Sequence, residues 1–170
     1  MDTKKRMLLL AILCIIIISI HISHDLSPSE AFYDNGTTNN KSTDWICNNI
    51  KLVQVTPKGT LINNTSPEII AYFAHSNKYW AKNPICIEFN VVDVTGNPSI
   101  HIADGENSFQ KSLASANESH VKIKIGNTIS WWIGNTEQPS TNFSMNDCYI
   151  RFLIPENNSL TYNDFKIYPT

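Results

Sequence analysis

The chain has 170 residues, 42% of them hydrophobic and 10% aromatic, and a net charge of −2. That is apolar material enough for one domain with a buried core, and too little charge for the electrostatic footprint of a nucleic-acid binder or a polybasic membrane binder. Lys4, Lys5 and Arg6 are offset by Asp2, Asp25 and Glu30, so the sequence beyond residue 31 keeps the same net charge.

The three basic residues precede an apolar run from Met7 to Ile20, which His21, Ser23, His24 and Asp25 end short of the roughly 20 residues a membrane span needs. Residues 1–31 read as a signal helix, either a peptide removed near Ser29-Glu30-Ala31 or an uncleaved signal anchor. Both place the remainder outside the cell or on its surface, with membrane contact only through this segment if it is kept.

Residues 32–44 begin FYDNGTTNNK, which is turn chemistry, and read as a linker leading into a domain over 45–170. Within that domain apolar stretches are short and lack helical period. WICNNIKLVQV (45–55), GTLIN (59–63), EIIAYFAH (68–75) and ICIEFNVVDV (85–94) read as strands. Further strands are predicted around Ile100 and Ile102 and around Phe109 and Leu113, then at HVKIKI (120–125), ISWWI (129–133) and DCYIRFLI (147–154). TGNP, IGNTEQPS and PENN supply turns. The last stretch, SLTYNDFKIYPT, changes apolar phase between Tyr162 and Phe165, which a bulge near Asn163-Asp164 would reconcile. Many short two-faced strands describe an all-β fold, an antiparallel β-sandwich or jelly roll.

The segment HVKIKI-GNT-ISWWI is a hairpin whose loop length sets which residues share a face. A three-residue loop, Gly126-Asn127-Thr128, puts Ile125 opposite Ile129, Ile123 opposite Trp131 and Val121 opposite Ile133. It requires Asn127 or Thr128 to take the left-handed backbone region. Trp131 is then core, and Trp132 stands on the outer face across from Lys122, beside Ser130 and Lys124. Two roles suit such a tryptophan: packing on the Lys122 stem as a cation–π pair, or offering a plane for a sugar ring flanked by Lys and Ser donors. Tyr79 and Trp80, in the loop before residue 85, form a second aromatic pair. It is either a plug over one end of the sandwich or a loop-built ligand contact.

Catalytic motifs are missing. Glycoside hydrolysis needs two carboxylates across the scissile bond. Here Glu88 alone lies within a predicted strand, Asp93 falls on the opposite face by simple alternation, and no E-x-D-x-x-E occurs. His75, His101 and His120 are scattered singly, and no cluster suggests a metal. DGEN (104–107) has oxygen ligands for a structural calcium but reads more plainly as an Asp-Gly turn. The expectation is a non-enzyme without a cofactor.

Beyond residue 31 three cysteines remain. Cys148 shares the phase of Ile150 and Phe152, whereas Cys86 is opposite in phase to Ile85 and Ile87. These two therefore pair poorly, and Cys47 is the better partner for either in an oxidising compartment. Sequons begin at Asn35, Asn40, Asn63, Asn64, Asn117, Asn142 and Asn157, candidates for surface glycosylation after export.

The run from Asp34-Asn35-Gly36-Thr37 through Trp80, PICIEFNVVDVTG, VKIKIGNTISWWIGN and CYIRFLI to LTYNDFKIYP resembles the concanavalin A-like or carbohydrate-binding-module sandwiches. These are attached to adhesin-like surface proteins and viral structural proteins of methanogenic archaea. The hairpin also resembles a laminin G-type pattern, but Gly134-Asn135 stands where that pattern has Asp-Gly, so the resemblance carries no calcium or ligand role over to this turn. The resemblance implies a non-catalytic domain displayed outside the cell that binds glycans or adheres to a cell-surface partner. The alternative is a structural or assembly module of a cell surface or virion, with no small ligand.

Overall fold

The computed structural model describes residues 32–37, 45–74, 85–104, 106–142 and 148–170. The predicted signal segment (1–31), Asn40, His75, Tyr79 and Trp80 lie outside the described residues.

Among the described residues thirteen strands form two antiparallel sheets. The larger has the order β11 (Thr136–Thr141), β10 (Ile129–Ile133), β9 (Ser119–Ile125), β6 (Ile85–Thr95), β13 (Ser159–Pro169), β4 (Gly59–Asn63), β3 (Val53–Thr56), with β1 (Phe32–Asp34) also on β13. The smaller has the order β2 (Trp45–Cys47), β5 (Ile70–Ala74), β12 (Tyr149–Ile154), β7 (Ser99–Ala103), β8 (Ser108–Ser112). Alternation decides what each strand buries. Ile85, Ile87, Phe89 and Val91 of β6 and Val121, Ile123 and Ile125 of β9 meet Ile100, Ile102, Ile150, Phe152 and Ile154 of the smaller sheet in one core.

At the centre of that core Trp45 stacks on Tyr72 at 4.4 Å between ring centroids and meets Phe165 edge-on at 5.0 Å. Phe152 lies 5.1 Å from Tyr162 and 5.2 Å from Phe89. Asp34 ties the cluster together: its carboxylate accepts from Trp45 Nε1 at 2.7 Å, from the Tyr162 hydroxyl at 2.9 Å and from the Gly36 amide at 2.8 Å. Phe32–Asp34, expected to belong to a linker, is therefore a strand, and its pairing with Phe165–Ile167 aims Asp34 inward.

Two other sequence expectations change. WICNNIKLVQV is not one strand: a 3₁₀ turn at Ile50–Leu52 divides it, sending β2 to the smaller sheet and β3 to the larger. TEQPST, expected to be turn, is strand β11 at the edge of the sheet, where proline is tolerated because, among the described residues, one side of the strand makes no ladder. The phase change in the last strand is a bulge as expected, with Asp164 at φ +51° and Tyr162 and Phe165 both fully buried.

No disulfide joins Cys47, Cys86 and Cys148 to one another. The phase argument holds for Cys86, which is on the outer side of the larger sheet, and for Cys148, which joins the core of the smaller one. Cys47 lies opposite Tyr72, which lies opposite Phe152, four residues along the strand direction from Cys148. Two strand spacings and four residue rises put the Cα atoms of Cys47 and Cys148 well beyond the ~7 Å limit for a bridge.

Candidate functional site

The outer face of the larger sheet collects the polar and aromatic side chains whose neighbours fill the core. The β9–β10 hairpin has the predicted register: Ile125 faces Ile129, Ile123 faces Trp131, Lys122 faces Trp132 and Val121 faces Ile133. Trp131 is 6% exposed, and Trp132 is half-buried on the other side. The loop does not need the left-handed residue expected of it. Neither Asn127 nor Thr128 has positive φ, and the Gly126 amide closes the turn on the Thr128 carbonyl at 3.0 Å.

The lysine over Trp132 is not the one expected. Lys122 Nζ turns toward the middle of the sheet and pairs with Glu88 at 2.5 Å, and Lys124, diagonal to Trp132, sets its ammonium 5.7 Å from the ring centroid. The reason is on β6: Lys122 has a carboxylate as cross-strand neighbour, whereas Lys124 has the Cys86 thiol. Ser130 lies directly across from Lys124.

Side chains line up across strands in rows. One row runs Glu137, Trp132, Lys122, Glu88, Lys166, Tyr33, from β11 to β1. The next holds Ser130, Lys124, Cys86 and Tyr168. Burial pulls the Glu88 carboxyl upward. Hydrogen bonds from Lys122 and Tyr168, and the charges of Lys122 and His120, outweigh that pull and hold it below its ordinary value. Cys86 is fully covered, and burial pushes its thiol up.

Next to Glu88, His120 Nε2 lies 4.0 Å from the carboxylate, and His120 Nδ1 lies 2.9 Å from Asn90 Oδ1. Asn90 Nδ2 in turn donates to Asn163 at 2.9 Å and Asp164 at 3.2 Å, and the Tyr33 hydroxyl donates to Asp164 at 2.9 Å. A depression of about 310 Å³ lies at this end, lined by Asn90, Val92, His120 and Asn163 among others.

Asp93 departs from the simple alternation. Thr161 faces Asp93 but Tyr162 faces Val91, so Val92 is an extra residue in β6, and the bulge returns Asp93 to the outer face with Glu88 and Asn90. Glu88 and Asp93 are nonetheless two pleat repeats apart, about 13 Å. That exceeds the ~5–5.5 Å of a retaining carboxylate pair and the ~6.5–9.5 Å of an inverting one. Between them stands an amide, Asn90.

Tyr33, Lys166, Tyr168 and Asn90 were not singled out from sequence. For Asn90, Lys166 and Tyr168 the signal lay in the phases of β6 and β13, which two bulges obscure; Tyr33 lies in the three-residue β1, inside a turn-rich stretch.

Among the sequons, Asn63, Asn117, Asn142 and Asn157 are exposed and Asn35 is half-buried. Asn64 is fully buried, with Nδ2 donating to the Glu68 and Ile154 carbonyls at 2.7 and 2.8 Å, so the folded domain has no room for a glycan there. Asp104 closes its own turn, Oδ1 accepting from the amides of Glu106 and Asn107 at 3.0 and 2.7 Å. On the outer face of the smaller sheet a second depression, about 350 Å³, is lined by Ser99, Gln110, Asn97, Ser112 and Leu153 among others. Its polar groups bond to one another, Gln110 to Ser99 and Ser112 to Asn97.

No family model matches the sequence, and no curated protein matches it. Solved structures do match the fold. A Crh5 transglycosylase in complex with NAG superposes with a TM-score of 0.58 at 9% identity, over 84% of this chain and 86% of that one. The carbohydrate recognition domain of Emp46p, in a metal-free form, gives 0.58 at 9% identity over 79% and 94%. A Bacillus licheniformis β-glucanase gives 0.55 at 10% identity over 82% and 98%. The domain therefore has the concanavalin A-like sandwich fold, which these sugar-binding and sugar-processing proteins share.

Proposed function

We propose that the domain is a non-catalytic carbohydrate-binding module that holds a glycan on the outer face of its larger sheet. The observation that carries this reading is Trp132, an aromatic plane kept half-exposed on a sheet face, with Lys124 and Ser130 as its polar neighbours and Lys122 across from it. A sugar presents an apolar C–H face and a rim of hydroxyls, and an aromatic ring bordered by donors and acceptors is complementary to both. Carbohydrate recognition by Emp46p and NAG in the transglycosylase complex support the ligand class by fold analogy. The separation of Glu88 from Asp93, and the engagement of Glu88 by Lys122, support binding without hydrolysis. Export by residues 1–31, with secretion or display on a cell surface, completes the proposal.

A glycan array probed with residues 32–170 tests it. Binding that is lost in a folded Trp132→Ala variant is the expected result, and no binding by the folded wild type would refute the reading.

The second reading, a structural or assembly module, is favoured by Ile46, Ile50 and Ile69, 48–54% exposed near β2 and the start of β5. Asn48 bridges this region by donating to the Ile69 carbonyl. Such a patch suits contact with another protein.

A further inference from the structure

We infer that the site is an extended one, taking a linear, electrically neutral oligosaccharide of roughly four sugar units laid across the strands from Tyr33 to Trp132. The inference rests on the carbohydrate-binding reading and deepens it. The row that contains Trp132 ends at a second aromatic, Tyr33, which is 54% exposed on β1. Both rings have a lysine over them: Lys124 Nζ is 5.7 Å from the Trp132 centroid and Lys166 Nζ is 5.6 Å from that of Tyr33.

Four strand spacings separate Tyr33 from Trp132, through Lys166, Glu88 and Lys122. At the usual interstrand distance this is about 19 Å, too long for one disaccharide to touch both rings. A sugar stacking on either ring displaces its lysine to the rim, where the ammonium becomes a hydroxyl donor.

Charge selects the ligand class. Lys122 is neutralised by Glu88, Lys124 shares its platform with Glu137 across from Trp132, and Lys166 shares its own with Asp164, which the Tyr33 hydroxyl holds. Three cations and three carboxylates leave the row without a net field to attract an acidic glycan. Tyr33 is held in place from both sides, by its hydrogen bond to Asp164 and by the β1–β13 ladder.

The test is a titration of the full chain with cello-, laminari- and chito-oligosaccharides of two to six units, with oligogalacturonides as the acidic comparison, at low and high salt. Expected are affinity that rises to about four units and then levels, little change with salt, and weaker binding of the acidic series. Tyr33→Ala should lower affinity for the four-unit ligand by roughly three- to tenfold and leave that for two units unchanged, whereas Tyr33→Phe, which keeps the ring, should bind like the wild type. Near-ultraviolet circular dichroism checks that β1 stays docked. Trp132-dependent binding that is flat with length or indifferent to Tyr33→Ala overturns the extended site and leaves the simpler reading standing. Preference for the galacturonides with steep salt dependence overturns the neutral ligand. Binding to no series overturns both.

Discussion

Trp131 and Trp132 are adjacent in sequence and opposite in role, because a pleated strand sends consecutive side chains to different faces. Trp131 packs edge-on to Phe109 at 6.1 Å, and its substitution by alanine should destabilise the domain by about 3–5 kcal/mol through lost burial and a cavity. Trp132→Ala should cost under about 1 kcal/mol, since what it loses is a half-exposed ring and the cation–π contact to Lys124. Urea unfolding of the two variants measures the difference, and equal losses would mean that Trp132 is structural. Simple alternation over ISWWI was enough to tell these two residues apart. It could not say which lysine covers Trp132, because that depends on Glu88, which is 34 residues from Lys122 in sequence and its neighbour in space.

Strands, rather than single side chains, decide where the sequence could be read. The alternating strands β9 and β12 were legible, and so was the bulge in β13, since Tyr162 and Phe165 cannot both reach the core without an extra residue. Three features were not. The bulge at Val92 is silent in a stretch where Val91, Val92 and Val94 are all apolar, so Asp93 was assigned to the wrong face. β11 contains Pro139 and few β-formers, and only its edge position makes it a strand. β1 is three residues long in a turn-rich context, and what makes it a strand is distant: Asp34 must reach Trp45 and Tyr162. Asp34→Ala should therefore leave two buried donors unsatisfied and cost about 3 kcal/mol or more, a loss visible in denaturant unfolding. A change below about 1 kcal/mol would show that β1 is not part of the stable core.

Across the whole molecule, the two sheets carry different acid sensitivities. On the smaller sheet Arg151 Nε donates to His101 Nδ1 at 2.8 Å, and burial, together with the Arg151 charge, holds the His101 pKa below 6.5. The unfolded chain thus takes up a proton that the folded one refuses. The stability this group contributes is complete above the ordinary histidine value and is lost as pH falls from there through the folded value. On the larger sheet Glu88, also lowered, contributes stability that is complete above its ordinary value of 4.5 and fades as pH falls below it. Thermal unfolding between pH 8 and 3 should accordingly show two declines. His101→Gln should flatten the upper and Glu88→Gln the lower; a single decline unaffected by either substitution would contradict both assignments.

The most direct measurement of where the molecule binds is a ¹⁵N-correlation spectrum of the indole N–H groups of the four tryptophans during titration with neutral oligosaccharides. The Trp132 indole should shift and saturate, while the buried indoles of Trp45 and Trp131 stay at their free-state positions. Saturable binding that leaves Trp132 unmoved, with shifts confined to the smaller sheet, would contradict it.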